Sequence, residues 1–137
     1  MELADFWALI DQARTEATTK SSWATAHDVG NALKQILAEW TPEQIIAFDD
    51  QFARMSGLAD EWELCAACFL ISGYLSDDGF TDFRAGIVGL GRTDFEQVIA
   101  DSESIAELPI VRGIAEGSVS PFRVTQGVDL SRRLVCL

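Results

Sequence analysis

Residues 61–92, EWELCAACFLISGYLSDDGFTDFRAGIVGLGR, decide how the chain folds. The stretch opens with an almost wholly apolar run, Trp62 to Leu75, and turns polar at Ser76-Asp77-Asp78-Gly79. It resumes as an amphipathic segment from Phe80 to Leu90 and stops at Gly91. A helix that is apolar all round has no face to give to water, so the first run reads as a helix buried on most sides. Phe80, Phe83, Ile87 and Leu90 recur at helical spacing and give the second segment one apolar face. The expected architecture is therefore all-α: an irregular multi-helix bundle around a buried central helix, Trp62–Leu75, with a tight acidic corner leading out of it.

The flanking sequence fits that picture. Leu3, Phe6, Trp7, Ile10, Ala13 and Ala17 predict a helix from about Leu3 to Thr18. Val29, Leu33, Ile36, Leu37 and Trp40 predict a second, weakened by Gly30. Thr41-Pro42-Glu43-Gln44 is a capping box with proline at the first helical position. The helix it opens should bury Ile45, Phe48, Phe52 and Met55 and stop at Gly57. Asp60 is placed to cap the central helix, with Glu61 and Glu63 at its positive end. Thr93-Asp94-Phe95-Glu96 reads as another capping box, opening a short helix through about Ala100. Asp101 to Leu108 can hold one more turn, ended by Pro109. Residues 1–112 then form the helical domain. Residues 113–137, punctuated by Gly113, Gly117, Pro121 and Gly127, form an irregular tail.

Composition narrows the function classes. A chain of 137 residues with 48% apolar side chains can bury a core without staples. Its three cysteines show no framework spacing, so no disulfide scaffold is expected. The mean hydropathy is +0.12, yet the longest apolar run falls short of a membrane span and meets Asp77 and Asp78. The opening MELADFW carries acids where a secretory leader has bases, so a cytoplasmic setting is expected. The net charge is −12, unevenly placed: residues 1–110 hold 20 acids against 6 bases, whereas residues 111–137 are net basic. A body this acidic repels phosphate backbones and favours a basic or neutral protein as its partner.

Four residues make the strongest candidate site. Asp77, Asp78 and Asp82 cluster within six positions, and Arg84 follows. Carboxylates so placed can hold a hard cation or share a proton; the plainer reading is that Ser76, Asp77 or Asp78 caps the next helix. Arg84 can clamp an anion, or pair internally with Asp77, Asp78 or a glutamate of the preceding helix. Cys65-Ala66-Ala67-Cys68 is a CxxC without the further ligands zinc needs, inside an apolar helix, and reads as core. His27 is the single histidine and has no nucleophile beside it in the sequence, so no triad can be built and no metal or cofactor is expected. Trp23, off the apolar pattern beside Ser21 and Ser22, is a candidate anchor for a partner.

Several motifs, taken in order, resemble a family. They are Asp5-Phe6-Trp7 with Ile10, Thr41-Pro42-Glu43-Gln44-Ile45 with Phe48, and Leu70-Ile71 through Ser76-Asp77-Asp78-Gly79-Phe80. Phe83-Arg84, Gly91-Arg92, Phe95-Glu96, and Asp101 with Ser104 to Leu108 continue the series. Together they resemble the bacterial domain-of-unknown-function family numbered 4240, over residues 1–112. The resemblance implies an intracellular bacterial helical domain and carries no activity and no catalytic residues with it. Two departures stand out. The acidic, Ala- and Tyr-containing helix expected after Arg112 is missing, and Ala85-Gly86-Ile87 replaces an aromatic-rich half-helix.

Three functional readings follow. The leading one is an acidic helical domain that binds a protein partner and performs no catalysis. The second is a small ligand-binding protein or enzyme using Asp77, Asp78, Asp82 and Arg84. The third is a nucleic-acid mimic, which needs carboxylates along one surface stripe.

Overall fold

The structure, a computed structural model, describes residues 1–19, 26–73 and 75–117, and only the backbone of Ala26, His27, Ile110 and Ile114. Among these residues every regular element is helical: α1 (Leu3–Thr18), α2 (Ala26–Leu37), α3 (Pro42–Leu58), α4 (Trp62–Ser72), α5 (Asp77–Val88), α6 (Arg92–Ala100), a 3-10 helix (Ser102–Glu107) and α7 (Pro109–Ala115). The all-α expectation holds.

The centre of the core is α1. Phe6, Trp7, Leu9, Ile10, Ala13 and Ala17 are all buried. Adjacent positions on a helix point to different sides, so Phe6 and Trp7 reach different neighbours. Phe6 lies 5.3 Å from the ring of Phe48 on α3, and Trp7 lies 5.2 Å from the ring of Phe95 on α6. The two rings of α1 also meet edge-on at 5.0 Å. Such tilted and edge-on pairs are worth about 0.5–1.5 kcal/mol each beyond the area they bury. The buried face of α2, Val29, Ala32, Leu33 and Leu37, packs along α1.

The expectation of a buried central helix fails. α4 sends inward only Leu64 and Cys68, with Ala67 and Ile71 half-buried beside them. Its opposite side is open: Trp62 is 83% exposed, Leu70 79% and Phe69 51%. A run that is apolar all round carries no information about which side faces in, and the interior is already filled by α1 and α3. α4 also ends earlier than expected. Gly73, at φ +81°, closes it in the left-handed conformation that glycine adopts without strain, and Leu75 lies beyond the helix.

Local capping signals give mixed results. Thr41 makes the full box with Gln44, the threonine accepting from the Gln44 N–H and the glutamine accepting from the Thr41 N–H at 3.0 Å. α3 runs through Gly57 to Leu58, one residue past the expected stop. Asp60 does not cap α4; Glu61 holds that position, without a side-chain hydrogen bond. Trp40 lies past the end of α2 but still packs against the core. α5 ends at Val88, before Leu90. Thr93 does not cap α6, which starts two residues earlier, at Arg92 behind Gly91. The turn expected over Asp101–Leu108 is the 3-10 helix Ser102–Glu107, which stops before Pro109, and Pro109 in addition starts α7. That placement suits its missing N–H and fixed φ. α7 continues to Ala115, past the expected boundary at Arg112.

Gly91 explains why α6 begins where it does. Its φ of +93° and ψ of 167° suit glycine alone. A Cβ there would lie 2.5 Å from Arg14 Nη1 and 3.1 Å from Asp11 Oδ1, so the α5–α6 turn rests directly on α1. Gly73 has a similar φ but nothing within 4 Å of its virtual Cβ. Gly91→Ala should therefore cost about 1–3 kcal/mol of backbone strain plus displacement of Arg14. Gly73→Ala should cost less. Thermal melts of both variants check this, and equal losses would mean that the approach to α1 contributes nothing.

Candidate functional site

The acidic corner is built first of all as a helix start. Ser76 takes an extended backbone (φ −141°, ψ 161°), and its Oγ accepts the Gly79 N–H at 3.0 Å. Asp77 and Asp78 are exposed in the first turn of α5, where the positive end of the helix favours carboxylates. The Asp77 carbonyl accepts the Thr81 hydroxyl at 2.9 Å. Asp82 is half-buried one turn further on. Among the described residues no group of three or more His, Cys, Asp or Glu side chains is arranged to hold a metal ion.

Arg84 leaves that corner and crosses to the C-terminal end of α3. Its Nη1 lies 3.8 Å from Asp60 Oδ2 and donates to the Ser56 carbonyl at 3.5 Å. Nη2 donates to Thr81 Oγ1 at 3.4 Å, and the guanidinium carbon sits 5.1 Å from the centre of the Phe80 ring. The partner on a neighbouring element is thus Asp60, a residue the sequence offered only as a cap. The free carbonyls at the end of α3 add a favourable negative field. The contacts are long, and among the described residues Arg84 Nε and Ser56 Oγ are buried without a hydrogen-bond partner. Most of the stabilisation then comes from the aliphatic stem and the ring.

The CxxC lies inside α4. Cys68 is buried and Cys65 half-buried. Burial pushes the Cys68 thiol up from its ordinary value, the Ser72 hydroxyl draws it partly back, and Cys65 adds a small upward push. A protonated buried thiol is a poor nucleophile. Among the carboxylates, burial pushes Asp49 on α3 up, with a further upward push from Asp50. Trp23 lies outside the described residues, as does the side chain of His27.

Two features escape a reading of local motifs. One is the open side of α4. Trp62, Ala66 and Phe69 follow each other at helical spacing, with Leu70 alongside, all exposed. The other is a cleft of about 360 Å³ on a different face. Its walls are apolar: Val29 from α2, Phe83 and Ile87 from α5, and Ile105, Leu108 and Val111 from the 3-10 helix and its continuation. Its polar edge is α1, with Asp11, Arg14, Thr15 and Thr18. None of Asp77, Asp78, Asp82 and Arg84 lines it. Arg14 and Asp11 lie 3.6 Å apart, an ion pair too long for a hydrogen bond. The only local trace of the cleft is that i,i+3 pair on the polar side of α1, together with the side-chain-free positions Gly86 and Gly89 on its far wall.

Two outcomes test these assignments. Arg84→Ala should lose on the order of 1 kcal/mol, whereas Arg84→Met, which keeps a stem over Phe80, should retain most of it. Equal losses in denaturant unfolding would assign the energy to the guanidinium contacts instead. Asp49 has a raised pKa in the fold, so its ionised form is disfavoured there. That penalty is fully present well above its folded pKa and is relieved as pH falls through it. Asp49→Asn should therefore raise the melting temperature at neutral pH. The gain should shrink as the buffer is taken down through the carboxylate range, and a gain independent of pH would show that burial of the charge is not its source.

No helix of the described residues is long and apolar enough to cross a membrane. No curated protein and no solved structure matches the chain. One family model does match, over residues 1–124, and so runs past Arg112, where the motifs read from the sequence stop. The chain belongs to that family, whose description is protein of unknown function, DUF4240.

Proposed function

We propose that the chain is a protein-binding domain that docks through the open side of α4 onto a partner segment combining apolar and basic side chains. The observation that carries this reading is the exposure of Trp62, Phe69 and Leu70 together on one helix. A contiguous apolar surface of this kind is costly to leave in water and commonly marks an interaction site. Tryptophan is also the residue most enriched among those that dominate binding energy.

Charge supports the choice of partner. From Leu58 to Asp78 the chain carries Asp60, Glu61, Glu63, Asp77 and Asp78 and no lysine or arginine. A second copy of the chain would bring these acids against one another, whereas lysines and arginines flanking an apolar stripe would complement them. Ala66, in the middle of the stripe, allows a partner backbone to come close. The corner residues serve this reading as scaffold: Ser76 starts α5, and Arg84 ties α5 to the end of α3 beneath the α3–α4 link. A cytoplasmic setting in a bacterial cell, where such partners are freely accessible, goes with the proposal.

The test uses a synthetic amphipathic helix with leucine on one face and lysine on the other, beside a leucine/glutamate counterpart. The full chain should bind the lysine peptide, lose affinity as salt is raised, and ignore the glutamate peptide. Trp62→Ser combined with Leu70→Asp should keep the helical circular dichroism and weaken binding by at least about tenfold. Equal binding of both peptides, or an unaffected double variant, would overturn the proposal. A concentration-dependent dimer in sedimentation that the double variant abolishes would overturn it too, by assigning the face to a second copy.

A further inference from the structure

The cleft between α1 and the C-terminal helices is independent of the α4 surface and has a chemistry of its own. Its volume of about 360 Å³ falls within the range of small-molecule sites. At about 30 Å³ for each water-sized group, that space takes about a dozen non-hydrogen atoms. Phe83, Ile87, Ile105 and Leu108 are buried residues that contribute apolar wall, and the half-buried Leu90 and Val111 complete it. Glycine at 89 leaves the far wall without a side chain; a Cβ there would already stand 3.3 Å from the Gly86 carbonyl.

The polar edge is unequal in what it offers. Thr15 donates its hydroxyl hydrogen to the Asp11 carbonyl at 2.9 Å, and Thr18 donates to the Arg14 carbonyl at 2.7 Å. Both hydroxyls are therefore turned inward to the α1 backbone as donors. Arg14 is the one cation among the described residues that line the cleft. It keeps 41% of its side chain accessible, and its end is held over the backbone of Gly91, where no Cβ intervenes. Its pairing with Asp11 is long and half-exposed, and pairs of that kind are worth little. A ligand carboxylate can thus recruit the guanidinium at small cost, and a planar carboxylate matches its fork of donors. Physiological salt screens the remote acids of the chain beyond about 8 Å, so the charge that opposes a bound carboxylate is the nearby one, Asp11, from which the guanidinium must turn.

We propose that this cleft is a binding site for a small amphiphilic monocarboxylate, its apolar body among Phe83, Ile87, Leu90, Ile105 and Leu108 and its carboxylate on Arg14. Decanoate, with a carboxylate and a ten-carbon chain, is the probe, compared with decanol and decylammonium below their aggregation thresholds. Calorimetric titration of the full chain should show saturable one-to-one binding of decanoate, about tenfold tighter than decanol. Arg14→Gln, at an exposed position that leaves the fold intact, should bring decanoate down to the level of decanol. Val111→Trp should fill the cleft and remove binding, with circular dichroism confirming the fold; Leu90→Phe, a smaller filling change, serves if the tryptophan unfolds the chain. Trp62→Ser with Leu70→Asp should leave decanoate binding unchanged, which separates this site from the α4 surface. The proposal is overturned by a decanoate affinity that Arg14→Gln does not alter, by preference for decylammonium, by absence of saturable binding, or by loss of binding in the α4 double variant.

Discussion

The burial of Phe6 and Trp7 at adjacent positions of α1 is the constraint from which the rest of the structure follows. One ring reaches α3 through Phe48, and the other reaches α6 through Phe95. Two elements far apart in sequence are thereby held to the same helix. α2 covers a further side of α1, and the α5–α6 turn closes onto it at Gly91. Once α1 is surrounded in this way, little interior remains for α4. A helix with more apolar residues than the core can accept must leave some of them outside. The open side of α4 is then a product of the same packing that buries α1.

Much of this was legible in the sequence wherever the signal was local and directional. α1 and α3 place their large aromatic residues on the inward side, so the spacing of Phe6, Trp7 and Ile10 and of Phe48, Phe52 and Met55 states both the element and its inward face, although Ile46 of α3 is exposed. Thr41 and Gln44 satisfy each other within one turn, and nothing elsewhere in the chain can override that. Ser76 belongs with them, since its hydroxyl needs only the Gly79 N–H three residues on.

Where the reading went astray, the deciding contact came from outside the local sequence. In α4 no spacing distinguishes Leu64 from Leu70, though one is buried and the other almost fully exposed. Thr93 and Glu96 have the residue types of a capping box, but the helix starts where Gly91 meets Arg14 and Asp11, some eighty positions away. Pro109 stands after the end of the 3-10 helix, as expected, but it also opens α7, which the sequence reading did not anticipate. Arg84 was recognised as a residue with a partner to find, yet Asp60 is a neighbour only after α3 and α5 come together. The cleft is the extreme case. Its walls come from α1, α2, α5, the 3-10 helix and α7, and no segment of the chain contains enough of it to be read.

The two positive-φ glycines that flank α5 differ in how much chain they allow around them. Gly91 is buried against the Arg14 and Asp11 side chains in a backbone conformation that only glycine adopts freely, so the connection between α5 and α6 is closely constrained. An added residue there would lift Phe95 off Trp7 or drive the turn into Arg14. Gly73 has open space around it, and Leu75 and Ser76, which follow between α4 and α5, are exposed. Added residues at that end can loop outward at an entropic cost that grows only slowly with length. The fold therefore has one rigid and one elastic joint on either side of the same helix, and variation in chain length is tolerated at the elastic one.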